Sequence, residues 1–266
     1  MKRIVSVLTV IVMLICGVFV CGCDNKAEKE YIGIISAMEN EIQKLLSETN
    51  VSRVDTVGSE KYYVGTLCGK NVVITKAGIG KVHASSGATT LFNTYKISKL
   101  LFTGIAGGVA DQTQVLDEVI ATNVVEHDYG IITNDGFVWC SGDPGTGGEE
   151  GVYYPCDEAL IELAYETAKE VLAGEHNVFK GTIATGDQFI ASESYVERLQ
   201  QDYNAYACEM EGAAVAAICI KYEIPFVVIR ALSDKADGNA HDSYEGFGNI
   251  AAENSSKIVI KMLESM

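Results

Sequence analysis

From about residue 31 to the C-terminus, short apolar runs rich in β-branched residues alternate with stretches of helical character, and this alternation constrains the fold more than any other feature. Residues 31–37, 100–103, 117–125, 179–184 and 226–232 have the length and composition of strands. Residues 39–46, 82–95, 156–172, 193–199, 211–222 and 248–263 read as helices. Residues 62–68 and 71–76 flank Gly69-Lys70 as the arms of a hairpin. The pattern predicts a single α/β domain, a sheet with helices on both faces, with no internal repeat and no second domain. Residues 130–155 break it; they are Gly-rich and are expected to form an irregular surface excursion.

Polar residues at the rims of these apolar segments mark a candidate site. Cys208-Glu209-Met210-Glu211-Gly212 opens a buried helix, and Arg230-Ala231-Leu232-Ser233-Asp234 ends a buried strand. Charged groups there need partners, and the crevice at strand ends is where α/β proteins place ligands. A glutamate beside a methionine suits a sugar: the carboxylate accepts from vicinal hydroxyls while the thioether packs on the ring. An aspartate ending a hydrophobic strand can be held protonated as a general acid. Together these residues point to glycosidic-bond chemistry.

Two glycine-bearing turns are expected after strands, Lys76-Ala77-Gly78-Ile79-Gly80-Lys81 and Thr103-Gly104-Ile105-Ala106-Gly107-Gly108. Glycines there let the backbone approach a ligand. Neither is a dinucleotide fingerprint. The four histidines form no ligand pair at helical spacing, and no cysteine spacing resembles a zinc site, so neither metal nor cofactor is expected.

Lys2 and Arg3 precede an apolar run over residues 4–20, which ends in Val20-Cys21-Gly22-Cys23. That is the layout of an export signal over residues 1–22. Its ending resembles a bacterial lipobox, which implies a lipid on Cys23 and a polar tether over residues 23–30. An uncleaved membrane anchor is the alternative. Either way the body, residues 31–266, is expected outside the cytoplasm, tethered to the membrane. The formal charge of −16 becomes −18 once Lys2 and Arg3 leave with the signal. So acidic a body repels nucleic acid and anionic lipid. In an oxidising compartment Cys140 and Cys156, which bracket the Gly-rich loop, are candidates for a disulfide worth roughly 3 kcal/mol.

Six motifs in register resemble the methylthioadenosine/S-adenosylhomocysteine nucleosidases of the purine nucleoside phosphorylase superfamily. They are Ile32-Gly33-Ile34-Ile35-Ser36-Ala37-Met38-Glu39-Asn40-Glu41, Ala77-Gly78-Ile79-Gly80-Lys81-Val82, Thr103-Gly104-Ile105-Ala106-Gly107-Gly108, Gly186-Asp187-Gln188-Phe189-Ile190, Glu209-Met210-Glu211-Gly212-Ala213, and Arg230-Ala231-Leu232-Ser233-Asp234-Lys235-Ala236-Asp237. The resemblance implies a three-layer nucleoside phosphorylase-like fold, a central mixed twisted β-sheet flanked by helices, and a homodimer. It implies Asp234 as general acid at the purine N7, oriented by Ser233, and Glu41 as the group that activates water. Glu211 would bind the ribose hydroxyls with Met210 packed on the ribose, and Arg230 and Glu209 would complete the polar network. Phe189 would stack on the purine, the Ile190 backbone would read its edge, the segment Ile105, Ala106 and Gly107 would line the substrate, and Tyr244 would line the 5′-substituent pocket. Ile105 stands where the family often has serine, and the run after His127 departs from the family pattern. His127-Asp128 resembles a catalytic pair, but no nucleophile lies near it, so it reads as structural or pocket-lining.

The activity so implied is hydrolysis of a 5′-modified adenosine to adenine and the free sugar. Phosphorolysis is the nearest rival, but no arginine lies near either glycine loop to bind phosphate, and Glu41 would repel it. A nucleoside-binding lipoprotein without catalysis is the alternative of a different class. A binder has no need of two carboxylates flanking the bond.

Overall fold

The computed structural model describes residues 29–266. The expectations for residues 1–28, the signal, the lipidated Cys23 and most of the tether, lie outside the described residues.

The described residues form one large mixed sheet, a separate two-stranded hairpin and six α-helices. In order, the strands are β1 (Tyr31–Ser36), β2 (Asn50–Val57), β3 (Glu60–Leu67), β4 (Lys70–Lys76), β5 (Ile97–Gly108), β6 (Glu118–Glu126), β7 (Gly130–Thr133), β8 (Gly136–Trp139), β9 (Tyr153–Pro155), β10 (Val178–Thr185), β11 (Ala205–Glu209) and β12 (Phe226–Asp234). The helices are α1 (Glu39–Glu48), α2 (Lys81–Thr94), α3 (Glu158–Leu172), α4 (Glu193–Tyr203), α5 (Gly212–Lys221) and α6 (Ala240–Ser265). Along the sheet the order is β11-β10-β6-β12-β5-β1-β4-β3-β2, with β9 beside β6. Strands β1, β4, β5 and β12 run parallel to their neighbours in the centre, whereas β2, β3 and the β6–β12 pair are antiparallel.

Strand β5 organises the site. It is twelve residues long and pairs with β1 and β12, and its tip also pairs antiparallel with β11, where Gly107 faces Cys208 and Gly108 faces Ala207. This last pairing curls β11-β10-β6-β12-β5 back on itself, so the ends of β5, β11 and β12 converge. Thr103 to Gly108 is therefore strand, not the turn expected from its glycines. Its backbone is engaged by β12 on one side and, at the tip, by β11, which offsets the weak strand preference of glycine.

The core is aliphatic and continuous across the sheet. Strand β12 is buried along its whole length, and Ile34, Ile35, Leu100, Leu101, Val227, Val228 and Ile229 are fully enclosed. Helices α1 and α3 pack on α6, while α2 packs on α5.

Several elements differ from the sequence expectation. Strand β2 is mostly exposed and pairs only with β3, so it carries little of the apolar signal by which strands are recognised. Strand β11 is five residues long and is not among the expected strands. Helix α6 begins at Ala240, a turn and more before its apolar stripe. Residues 130–155 contain a two-stranded hairpin, β7–β8, and the short β9, which is more order than a Gly-rich excursion suggests. The expected Cys140–Cys156 bridge is not formed, since both are free thiols. Cys156 belongs to the main core, where burial pushes its thiol up to about 12, and Cys140 lies against Gly148 in the loop.

Candidate active site

The converging strand ends enclose a cavity of about 320 Å³. It is lined by Glu41 from α1, by Ile105, Ala106 and Gly107 from β5, by Phe189 and Ile190 from the loop after β10, by Glu209, Met210 and Glu211 after β11, by Ser233 and Asp234 from β12, and by Tyr244 from α6. Of the residues expected in the site, Arg230 alone does not line the cavity; it lies behind it, 1 % exposed.

Glu41 is held by the backbone. Its Oε2 accepts from the amides of Ala37 (2.9 Å) and Met38 (2.7 Å), and its Oε1 from the amide of Ile105 (2.9 Å). The Ile105 main chain thus contributes a donor to this carboxylate. Its side chain packs with Ala231, Ala251 and Ala252 beneath Met38 and Tyr244. Burial pushes the Glu41 carboxyl up; the Arg230 charge and the three amides pull it back toward the ionised form. Gly104 makes room for this arrangement. A Cβ there would sit 2.5 Å from Glu41 Oε1 and 3.3 Å from Arg230 Nη1.

Asp234 has a different environment. Its Oδ2 accepts from the Ser233 hydroxyl (2.7 Å) and its Oδ1 from the Ala236 amide (2.8 Å). Burial raises its pKa, and those two donors only partly oppose the rise. The neighbouring Lys235 is turned away, its ammonium donating to the carbonyls of Ala110 and Thr113 and to the Thr113 hydroxyl. Asp234 therefore holds its proton more readily than an exposed aspartate. Burial thus raises both carboxyls that face the cavity, Glu41 against the Arg230 charge and three amide donors, and Asp234 against one hydroxyl and one amide.

The remaining polar groups sort into those that support and those that face the ligand. Glu209 bridges inward: it accepts from Arg230 Nη2 (2.7 Å), from the amides of Glu211 and Gly212 that open α5, and from the Thr185 hydroxyl. Its lone pairs are thus taken by protein donors, so it anchors Arg230 to the helix end and has little left for a sugar. The Arg230 guanidinium also lies 4.1 Å over the Phe102 ring. Glu211 is pinned through one oxygen by the Gly80 amide (2.7 Å), leaving the other toward the cavity. Burial and the Glu209 charge push its carboxyl up to about 8.

At the apolar end, Phe189 and Tyr244 meet edge-on with centroids 6.2 Å apart, and the Tyr244 hydroxyl donates to Met38 Sδ (3.4 Å). Sequence reasoning missed Ala37, Met38, Ile79, Gln188, Cys208 and His241, which also line the cavity. Met38, Ile79 and Gln188 lie inside motifs already singled out, and His241 lies three residues before Tyr244, so proximity to the motifs was the available signal. His127 does not line the cavity and Asp128 pairs with Lys81, in keeping with a structural reading of that dipeptide. Among the described residues no group of three or more His, Cys, Asp or Glu is placed to hold a metal ion.

Residues 31–264 of the chain match the Phosphorylase superfamily, and the chain belongs to that superfamily. A 5′-methylthioadenosine/S-adenosylhomocysteine nucleosidase of Bacillus cereus is 38 % identical over 239 residues, spanning 88 % of this chain and 99 % of that protein. Among solved structures, the nucleosidase of the same name from Neisseria meningitidis, in complex with methylthio-immucillin-A, aligns with a TM-score of 0.79 at 34 % identity, covering 89 % of this chain and 99 % of that one. A futalosine hydrolase of Helicobacter pylori aligns with a TM-score of 0.79 at 31 % identity, covering 89 % and 98 %. Within the superfamily the chain belongs to the 5′-methylthioadenosine/S-adenosylhomocysteine nucleosidases, enzymes of N-glycosidic hydrolysis.

Proposed function

We propose that the protein hydrolyses 5′-modified adenosines, with methylthioadenosine, S-adenosylhomocysteine and 5′-deoxyadenosine as the candidate substrates, releasing adenine. The observation that carries this reading is the pairing of Glu41 and Asp234 on one cavity in unlike environments. Asp234 donates its proton to the adenine N7 as the bond from N9 to C1′ breaks, so the base leaves neutral. Glu41 orients a water toward C1′ and takes its proton as the new C–O bond forms. Solvent exchange then returns each carboxyl to its starting state. Glu211 accepts from the ribose hydroxyls, Met210 packs on the ribose, Phe189 stacks on the base, and Met38, Ile79 and Tyr244 surround the 5′-group.

Hydrolysis is favoured over phosphorolysis because the Ile105 amide, a donor that an anion beside the sugar would need, is already committed to Glu41. A negative carboxylate in that place repels phosphate. Adenine release from methylthioadenosine and S-adenosylhomocysteine by the purified protein, with and without phosphate, tests the reading. Release in both conditions supports it; release only with phosphate makes the protein a phosphorylase, and binding without release makes it a nucleoside-capturing protein.

Residues 1–22 are proposed as an export signal and Cys23 as a lipidated residue, on the strength of the basic, apolar and Cys-Gly-Cys succession. Radiolabelled palmitate incorporated by the wild type and equally by Cys23→Ala would refute the lipid. A homodimer is proposed as well. Ile79 and Phe189 are apolar and 53 % and 52 % exposed at the cavity, as expected of a surface covered by a second copy. A monomeric mass by light scattering would count against it.

A further inference from the structure

Outside the residues that line the cavity, three residues close a ring of hydrogen bonds. The Lys81 ammonium donates to Asp128 Oδ1 (2.7 Å), the Asp187 amide donates to Asp128 Oδ2 (2.8 Å), and the Lys81 amide donates to Asp187 Oδ1 (2.8 Å). Glu126 adds a second carboxylate 3.3 Å from the ammonium. The side chains of Lys81 and Asp128 are 18 % and 13 % exposed, so solvent screens their ion pair only in part, whereas Asp187 is exposed. Burial alone would lower the Lys81 pKa, but the bond to Asp128 and the two carboxylate charges prevail and raise it, which keeps the ammonium charged. None of the three belongs to a hydrophobic cluster.

The ring joins the two loops that present the ligand-facing groups. On one side, Lys81 follows Gly80, whose amide holds Glu211 (2.7 Å) and whose φ of +91° suits glycine. On the other, Asp187 precedes Gln188, Phe189 and Ile190, all of which line the cavity. Residues 186–192 form neither helix nor strand. The ends of this segment are tied by the Gly186 amide to the Glu209 carbonyl (3.0 Å) and by the Ser192 amide to the Ala236 carbonyl (2.8 Å). Between them, the two bonds of Asp187 to Asp128 and Lys81 tie the chain just before Phe189 to the Gly80 loop, while Gln188 is held locally by its amide to the Gly186 carbonyl (2.8 Å) and by the Tyr195 hydroxyl on its Oε1 (3.3 Å). Close packing beneath reinforces this, because a Cβ on Gly186 would run into His127 Nε2 and stand 3.1 Å from Asp128 Cγ.

We propose that Asp128 is a positioning residue for the nucleosidase reaction, joining the base-facing loop around Phe189 to the Gly80 loop that aims Glu211, so that base and ribose are gripped as one unit. This rests on the roles proposed above for Phe189 and Glu211. The proton chemistry is held elsewhere, by the amides of Ala37, Met38 and Ile105 on Glu41 and by Ser233 and Ala236 on Asp234. Loss of Asp128 therefore weakens substrate binding and leaves the chemical step largely intact.

The test is steady-state hydrolysis of methylthioadenosine by wild type, Asp128→Ala, Asp128→Asn, Lys81→Met and the double variant Asp128→Ala/Lys81→Met, with thermal unfolding of each. Turnover by the wild type in the same assay verifies the reading of the site independently, so a failure among the variants falls on the proposal alone. Asp128→Ala is expected to raise KM about tenfold with kcat within threefold and an unmoved pH profile of kcat. The double variant should be no worse than Asp128→Ala, because both remove members of one ring. Asp128→Asn keeps an acceptor for the Asp187 amide but loses the charge, and should raise KM by about threefold; it gives the same reading where the alanine variant does not fold. A lowered melting temperature with KM unchanged in Asp128→Asn and in any folded Asp128→Ala protein would make the ring merely structural and overturn the proposal. So would fully additive KM effects in the double variant.

Discussion

Replacing Gly104 with alanine adds one methyl group and no charge, and its consequence can be worked from distances. The new Cβ would stand 2.5 Å from Glu41 Oε1 and 3.1 Å from its Cδ, whereas real Cβ atoms essentially never come within 3.0 Å of a heavy atom. The carboxylate must retreat by at least the difference, 0.5 Å. Backbone strain does not contribute, since Gly104 is not among the glycines with positive φ. The retreat stretches the 2.9 Å bond from the Ile105 amide and shifts the carboxylate proposed to hold water. A charge-assisted bond of this kind contributes about 1.5–3 kcal/mol, and a misplacement approaching 1 Å at a reacting group costs about a hundredfold in rate. We expect kcat for adenine release to fall by about thirtyfold to a hundredfold, with KM within threefold because the base and ribose contacts are untouched. A spectrophotometric assay of nucleoside hydrolysis, with a melting curve to verify folding, measures both. A folded Gly104→Ala protein with kcat within threefold of the wild type would refute the assignment of Glu41 to the attacking water.

Asp234→Asn removes the proton donor but keeps the shape, so turnover should drop by about a hundredfold to ten-thousandfold while calorimetry still detects nucleoside binding; unchanged turnover would overturn the mechanism. Glu209→Ala leaves the Arg230 guanidinium buried without its 2.7 Å partner, both side chains being 2 % exposed, and should cost about 3–5 kcal/mol in urea unfolding; a loss below about 1 kcal/mol on the same scale would show that Arg230 finds another partner. Glu211 has its carboxyl raised from 4.5 to about 8 by burial and by Glu209. Between those values the folded state binds the extra proton, so this contribution to stability is complete below 4.5 and is lost as pH rises through 8. The melting temperature of Glu211→Gln relative to the wild type should therefore climb from pH 6 to pH 9, and a flat difference would contradict the shift.

The local chemistry of the site was legible because its residues sit in compact motifs. Glu209, Met210 and Glu211 adjoin in the chain, as do Ser233 and Asp234, and glycines mark where backbone and side chain come close. The roles within that set were less legible. Glu209 was read among the groups around the sugar, but the structure turns its oxygens to Arg230, Thr185 and the start of α5. Ile105 stands where the family often has serine, and its amide, not its side chain, supplies a donor to the site. A hydrogen bond between residues 64 positions apart leaves no trace in composition or spacing.

The apolar runs of β1, β5, β10 and β12 and the helical periodicity between most of them were sufficient to specify an α/β domain, because burial on the faces of a sheet or one face of a helix imposes its period on the sequence. What tertiary structure alone decided was the closure of the sheet. The exposed β2 and the five-residue β11 gain their identity from partners rather than from their own residues, since a strand is defined by the neighbour that takes its hydrogen bonds. The pairing of β5 with β1, β11 and β12 brings Glu41, Glu211 and Asp234 from three distant parts of the chain to one cavity. Folding also sets the burial and the donors around Glu41 and Asp234, on which the roles proposed for the two carboxyls rest. Those are properties of surroundings, and the surroundings exist only once the chain has folded.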